Sequence, residues 1–264
     1  MTTFGLDLGG NDVREPVTIS ALEFDVLWEH LRLETMPLVL KVPSPGKTHA
    51  ERAELEQRVW ADLDRRGLGR PVALDPALED LLHLLSRPEQ EVDGRLWLGR
   101  SVRVLAAAKG RSGVLAVLSN DQLTLRPASS EGLAREALSV LPPLPAGPGH
   151  SVTLPSADLD AAAAGANTPD ELFAGLVARG IRQEDARTLA DMFRDAGNRG
   201  QFGAASRDKW GKRVRQDHVV AFFDNPHGRY LQVRRATPGQ QPWSTISPVD
   251  LRRLTHHLES LTTP

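Results

Sequence analysis

The same order of structural elements occurs twice along this chain. Alternating apolar and polar residues, separated by short turns, predict four strands followed by a helix in residues 92–141, and the same five elements recur in residues 199–262. The strands centre on residues 95–98, 102–107, 114–118 and 123–126 in the first copy, and on residues 201–205, 218–223, 229–234 and 243–246 in the second. A duplication of this length favours one α+β body with quasi-two-fold symmetry.

The repeat extends upstream of both predicted sheets. Val17-Thr18-Ile19-Ser20-Ala21-Leu22 resembles Val152-Thr153-Leu154-Pro155-Ser156-Ala157, and helices with capping signals follow each segment. We therefore predict a single domain over residues 1–264, with halves at about residues 17–141 and 151–262 joined by the proline- and glycine-rich segment 142–149. Because the identity within the repeat is weak, two unrelated α+β subdomains are the alternative interpretation.

The composition excludes several classes of function. The chain of 264 residues has a net charge of −2, so it lacks the broad basic surface that nucleic-acid binding requires. It has no cysteine, which excludes a disulfide, a thiolate metal site and a thiol nucleophile. No apolar run reaches the ~18 residues of a membrane span, and residues 1–15 lack the basic start and apolar stretch of a signal peptide. We expect a cytoplasmic protein without stable membrane insertion.

Motifs for catalysis or cofactor binding are weak. Pro45-Gly46-Lys47-Thr48 ends like a phosphate-binding loop, but Lys41 stands where that loop needs a glycine. The adjacent His256 and His257 point about 100° apart on a helix, and we expect His83 to lack the carboxylate partner at helical spacing that zinc motifs use. We therefore predict no catalytic residue, metal site or cofactor. An enzyme whose site is assembled from residues distant in sequence stays open.

The second copy carries an insertion that the first copy lacks. Residues 206–217 place five basic residues around the isolated Trp210, whereas the matching hairpin of the first copy turns at Gly99-Arg100. Trp210 either tucks onto the sheet within a solvated loop or contacts a partner, since tryptophan and arginine are frequent hot-spot residues of interfaces. RNA binding through residues 207–215 is a third interpretation.

Several segments together resemble the EspG family. They are, in chain order, Phe24-Asp25-Val26-Leu27-Trp28-Glu29, Pro43-Ser44-Pro45-Gly46-Lys47-Thr48, Arg199-Gly200-Gln201-Phe202-Gly203, Trp210-Gly211-Lys212-Arg213, Asp224-Asn225-Pro226-His227-Gly228-Arg229-Tyr230-Leu231 and Trp243-Ser244-Thr245-Ile246-Ser247-Pro248. The resemblance implies a quasi-two-fold fold with a central antiparallel sheet flanked by helical bundles. It also implies a cytosolic, non-enzymatic chaperone of type VII (ESX) secretion that has no cofactor.

The resemblance implies a class of partner as well. Mycobacterial members of the family bind the helical tip of a PE–PPE heterodimer through the sheet and the C-terminal bundle. The turn Leu98-Gly99-Arg100-Ser101 is shorter than the extended loop of some members, so a WXG100-like helical hairpin is an alternative cargo. The sequence leaves open whether the free protein forms a homodimer.

We predict that the partner surface lies on the second copy's sheet and on its basic hairpin. Strand alternation places some of the sheet residues on an open face, but the sequence does not tell which. The predicted partner-binding residues are Phe202, Arg207, Trp210, Arg213, Phe223, Tyr230 and Gln232.

Overall fold

A computed structural model describes residues 15–236 and 239–262. The expectation of no signal peptide rests almost entirely on residues 1–14, which lie outside the described residues. The first half contains β1 (Val17–Ser20), α1 (Ala21–His30), α2 (His49–Arg65), β2 (Gly69–Arg70), β3 (Ala73–Leu74), α3 (Pro76–Ser86), β4 (Gln90–Trp97), β5 (Ser101–Lys109), β6 (Ser112–Ser119), β7 (Gln122–Pro127) and α4 (Leu133–Leu138). The second half contains β8 (Val152–Pro155), α5 (Ser156–Ala164), α6 (Pro169–Val177), α7 (Gln183–Phe193), β9 (Arg199–Arg207), β10 (Arg213–Arg215), β11 (Val220–Asn225), β12 (Gly228–Arg235), β13 (Trp243–Pro248) and α8 (Leu251–Thr262).

One antiparallel sheet runs through both halves of the described chain. Its strand order is β1-β7-β6-β5-β4-β9-β11-β12-β13-β8, and β10 pairs with the outer part of β9. The central strands β4 and β9 come from different halves and pair antiparallel, with Gly94 opposite Phe202. The elements on either side of this pair match in order, so the prediction of a quasi-two-fold α+β fold with a central antiparallel sheet is confirmed.

Side-chain caps begin several of the bundle helices. Ser20 and Glu23 form a reciprocal capping box at α1, and Thr48 forms one with Glu51 at α2. Thr168 accepts a hydrogen bond from the backbone of α6 in the same way. These caps satisfy backbone N–H groups that the first helical turn leaves without partners, so they fix where the bundles start.

The two faces of the sheet carry different sets of helices. Helices α1–α3 and α5–α7 form two bundles on one face, which we call the bundle face, and α4 and α8 cover the middle of the opposite face, the back face. Cross-strand neighbours show which residues share a face: Asp93 lies opposite both Leu105 and Gly203. Because the bundles pack on the outer strands, the bundle face of β4 and β9 lies between them.

The connecting segment 142–149 is fastened to the second half by Arg229. The Arg229 backbone N–H donates to Pro145 O at 2.9 Å, and the Gly147 N–H donates to Arg229 O at 3.1 Å. The fully buried guanidinium also donates to both carboxylate oxygens of Asp224, at 2.7 and 3.0 Å. The Arg229 backbone and side chain thus anchor the chain segment that leads from one half to the other.

Candidate functional site

Strand β4 forms the floor of a cleft on the bundle face. On β4, Glu91, Asp93 and Arg95 occupy alternate positions and face the bundle side. Residues 34–39 of the α1–α2 connection line one side of the cleft, and the β9–β10 hairpin lines the other. The first half therefore supplies the floor and one wall of the cleft, and the second half supplies the opposite wall.

The turn of the β9–β10 hairpin is held by a network of hydrogen bonds. Asp208 Oδ1 accepts from the backbone N–H groups of Trp210 and Lys212, both at 2.9 Å. Gly211 has a φ of +78°, in the left-handed region that favours glycine. Arg207 donates from Nη1 to Gly211 O at 2.7 Å and from Nε to Pro88 O at 3.0 Å. Arg207 therefore supports the hairpin from inside and ties it to the first half.

Two arginines on β10 reach across β9 to the acidic floor of the cleft. Arg213 Nε donates to Glu91 Oε1 at 2.8 Å, and Arg215 Nη2 donates to Asp93 Oδ2 at 3.2 Å. The hydrogen bond to Asp93 raises the pKa of Arg215 above its ordinary value, against an opposing effect of desolvation. Gly203 makes this crossing possible, because a Cβ there would overlap the Arg215 guanidinium.

Trp210 lies in solvent at the tip of this hairpin. The side chain is 79% exposed, so the interpretation in which it tucks onto the sheet is wrong. Its contact is with the neighbouring Lys209, whose Nζ lies 4.4 Å from the centroid of the indole ring. Val214 on β10 is 46% exposed but faces the back of the sheet, because it alternates with Arg213 and Arg215. The polar turn around Asp208 thus presents an indole that the hairpin's own fold does not cover.

Three of the residues predicted to contact a partner are buried instead. Phe202 packs beneath α4 and α8 on the back face, where it contributes to a core with Phe222. Phe223 and Tyr230 stack at 5.2 Å between ring centroids beneath the α5–α7 bundle. All three are at most 5% exposed, so their prediction as contact residues is corrected. Helices cover the parts of the strands where these three side chains lie, on the back face for Phe202 and on the bundle face for Phe223 and Tyr230, and alternation alone could not tell which parts stay open.

Gln232 lies on a strip of the bundle face that stays open. It is opposite Ala221 on β11, Ala221 is opposite the exposed Gln201 on β9, and the three line one depression. The two halves differ here because residues 165–168 connect α5 to α6 directly, whereas residues 31–48 make the corresponding connection in the first half. The second half therefore leaves its strand surface accessible.

The long first-half connection packs onto the sheet. Val39, Leu40 and Val42 are buried with the first bundle. Arg103 Nη1 donates to Lys41 O at 2.8 Å, which fastens the segment over β5. The strand surface of the first half that corresponds to the open strip around Gln232 is thus covered by the chain itself. Only the second half leaves this surface accessible to a partner, which favours the second half as a contact site.

Sequence reasoning missed the acidic floor of the cleft. Glu91, Asp93 and Arg95 alternate with apolar Val92 and Leu96, a pattern that predicts a strand with one polar face. The alternation could have identified an open surface on β4. The arginines on β10 that pair with Glu91 and Asp93 are distant in the sequence, so no local sequence pattern could identify these ion pairs.

The histidines form no cluster in the part of the chain that the structure describes. The expectation that His83 has no carboxylate at helical spacing is wrong, since Glu79 Oε1 lies 3.8 Å from its Nε2. Among residues 15–236 and 239–262, no group of three or more histidine, aspartate or glutamate side chains is placed to hold a metal ion. Within the same residues, none of the helices has the length and apolar character needed to cross a membrane.

Comparison with known proteins agrees with this architecture. The sequence model of the EspG family matches residues 20–260, nearly the whole chain. This chain belongs to the EspG family. No curated protein matches it significantly by sequence.

A solved structure shows the EspG fold over almost the full length. It is that of the Mycobacterium tuberculosis type VII secretion system chaperone EspG5 in complex with a PE25–PPE41 dimer, which is similar to this chain with a TM-score of 0.70. The likeness covers 95% of this chain and 97% of the EspG5 chain at 17% sequence identity. At this identity it establishes the fold alone.

Proposed function

We propose that this EspG-family protein is a cytosolic, non-enzymatic chaperone. Its cargo is a secreted helical hairpin, either a PE–PPE-like heterodimer or a WXG100-like pair, which it keeps soluble and directs to a type VII secretion system. Family membership and the shared fold with EspG5, which was solved in complex with a PE25–PPE41 dimer, support this assignment. The observation that carries it is that the second half exposes both a strip of its sheet and Trp210 at the tip of its hairpin.

The shape of the bundle face suits a helical tip. A helical hairpin buries an apolar stripe in a groove and keeps its charged side in water. The open strip around Gln201, Ala221 and Gln232 offers small and uncharged side chains at the floor. Arg234, at the edge of this strip, pairs with Asp160 on α5 and borders the C-terminal bundle. The strip therefore joins the sheet to that bundle.

Within the hairpin, we assign different roles to Trp210 and to the arginines. Trp210 supplies the apolar contact, because its side chain is exposed at the tip of the hairpin. Arg213 and Arg215 position the hairpin, since Glu91 and Asp93 already hold their guanidinium groups.

Co-expression with a helical secreted pair tests the function. The tagged chaperone and an untagged PE–PPE-type pair from the same genome would be produced together and purified through the tag. We expect a stable complex that survives gel filtration, and greater solubility of the pair than without the chaperone. Parallel expression with a WXG100-type pair distinguishes the two cargo classes. Failure to retain either pair would contradict the proposed function.

A further inference from the structure

Residues 34–42 of the first half lie on the bundle face of the sheet, and we call this segment the strap. Arginines of two neighbouring strands hold its backbone. Arg95 on β4 donates from Nη2 to Leu38 O at 3.4 Å. Arg103 on β5 donates from Nη1 to Lys41 O at 2.8 Å. The strap therefore passes over β4 and β5.

The strap contains a turn of apolar residues. The Leu40 N–H donates to Pro37 O at 2.9 Å, which closes the turn. Val39, Leu40 and Val42 are buried at the edge of the first bundle. The sheet of the first half is thus covered by an apolar turn that belongs to the chain itself.

The open strip of the second half lies at the quasi-symmetric position. Strand pairing defines one row of five bundle-face residues in each half. The row of the first half is Val17, Leu125, Ala116, Leu105 and Asp93. The row of the second half is Val152, Ile246, Gln232, Ala221 and Gln201. Ala221 therefore takes the place of Leu105, and Gln232 takes the place of an alanine. That alanine and Leu105 are fully buried in the same apolar cluster as the strap.

The open strip has the chemistry to receive a turn from another chain. Ala221 is smaller than Leu105, so it leaves room for an apolar side chain above it. Among the described residues, the side-chain amides of Gln201 and Gln232 form no hydrogen bond. Each amide both donates and accepts, and can therefore pair with the backbone N–H and C=O groups that a turn presents.

The open strip is also continuous with the surface that the strap covers. Arg95, which holds the carbonyl of Leu38, lies opposite Gln201 on β9. The Leu38 side chain is 74% exposed, although its neighbours in the strap are buried. An apolar ligand on the strip therefore meets an apolar side chain of the strap at its border.

We propose that the open strip binds an apolar turn from the tip of the cargo, in the place that the strap takes on the first half. This inference rests on the proposed function and names the part of the cargo that the strip contacts. A helical hairpin has such a turn at its tip, where the chain passes from one helix to the next. The bound turn packs an apolar side chain on Ala221, pairs its backbone with Gln201 and Gln232, and covers Leu38.

A peptide with the sequence of the strap tests this inference without any cargo. The probe is a fluorescein-labelled peptide of residues 35–43, whose anisotropy is measured as the full chain is added. We expect weak binding, with a Kd below about 1 mM. Ala221→Glu should weaken it at least about tenfold, because a carboxylate beneath the apolar peptide loses its water. Ser112→Glu makes the same change in charge at an exposed turn between β5 and β6 and should bind like the wild type.

Two results of this titration would overturn the inference. One is the absence of binding up to about 1 mM peptide, and the other is equal binding by Ala221→Glu and the wild type. Gel filtration of the free chain adds a third. A dimer that Ala221→Glu dissociates would assign the strip to a second copy of the chain. Melting curves confirm that the variants fold.

A cargo titration separates this inference from the proposed function. Leu38→Ser should raise the Kd of a purified cargo pair about tenfold, because the cargo no longer covers a leucine. Val72→Ser is the matched control, since Val72 is 95% exposed in the turn between β2 and β3 and lies outside both surfaces. If the wild type binds cargo and Leu38→Ser and Ala221→Glu bind it equally well, the proposed function stands and the inference fails. If the wild type binds no cargo, the proposed function fails, and the peptide titration still decides whether the strip accepts an apolar turn.

Discussion

Replacing Trp210 with alanine tests whether the hairpin tip contacts the cargo. The indole is 79% exposed, and a buried tryptophan covers ~200 Å², so a partner can cover about 160 Å² of it. At ~25 cal/mol per Å² this area corresponds to at most ~4 kcal/mol, of which the cost of ordering the interface leaves about 2 kcal/mol. We therefore expect Trp210→Ala to raise the cargo Kd roughly thirtyfold.

The same substitution should leave the fold almost unchanged. The part of Trp210 that contacts the chain is small, about 40 Å² or ~1 kcal/mol as an upper limit, which lowers the melting temperature by roughly 2–4 °C in a chain of this size. Calorimetry with a purified cargo pair gives the Kd, and a thermal melt gives the stability. Trp243→Ala is the matched control. Trp243 is 44% exposed, but on β13 it faces the side of the sheet opposite to the bundle-face residue Ile246. Unaltered affinity of the Trp210 variant would refute the reasoning, and a large drop in melting temperature would show a structural role instead.

Three other substitutions or truncations test the architecture. Gly203→Val should displace Arg215 from Asp93 and lower the free energy of unfolding by about 1 kcal/mol or less in a urea titration, because the new side chain overlaps the guanidinium and the lost ion pair is partly exposed; a loss above ~3 kcal/mol would show that Arg215 cannot move aside. Asp224→Ala should cost about 3–5 kcal/mol in the same titration, since it leaves the buried Arg229 charge without its carboxylate, and a loss below ~1 kcal/mol would contradict this. The halves expressed separately, cut within residues 142–149, should not fold, because the cut exposes the central edges of β4 and β9; two soluble halves with independent cooperative melts would refute the single domain.

Local signals in the sequence predicted most of the secondary structure. The turn at Asn225-Pro226-His227-Gly228 closes the β11–β12 hairpin as its proline and glycine indicate, with Gly228 at a φ of +152°. Side chains at Ser20, Thr48 and Asp75 cap the first turns of α1, α2 and α3 by bonding to a residue three positions further on. These features depend on residues close together in the chain, which is why a single sequence contains them.

The predicted site was less accurate because it depends on distant parts of the chain. Strand alternation divides β9 and β12 into two faces, but whether a helix then covers a face depends on tertiary packing, so Phe202 and Tyr230 were misplaced. The short strand β10 was also missed, since Arg213-Val214-Arg215 has the composition of a solvated loop and is held by Glu91 and Asp93 from the other half. The insertion left open whether Trp210 tucks onto the sheet or is exposed, and the structure shows it exposed.

Site-specific photo-crosslinking in the assembled complex tests the central claim most directly. A photoreactive amino acid would replace Gln232 on the open strip, Trp210 at the hairpin tip, or Leu251 on the back face, and each variant would be illuminated with the purified cargo pair. If the cargo docks on the bundle face of the second half, the probes at Gln232 and Trp210 form crosslinks to the cargo and the probe at Leu251 does not. Crosslinks from Leu251 alone, with none from Gln232 or Trp210, would contradict the account.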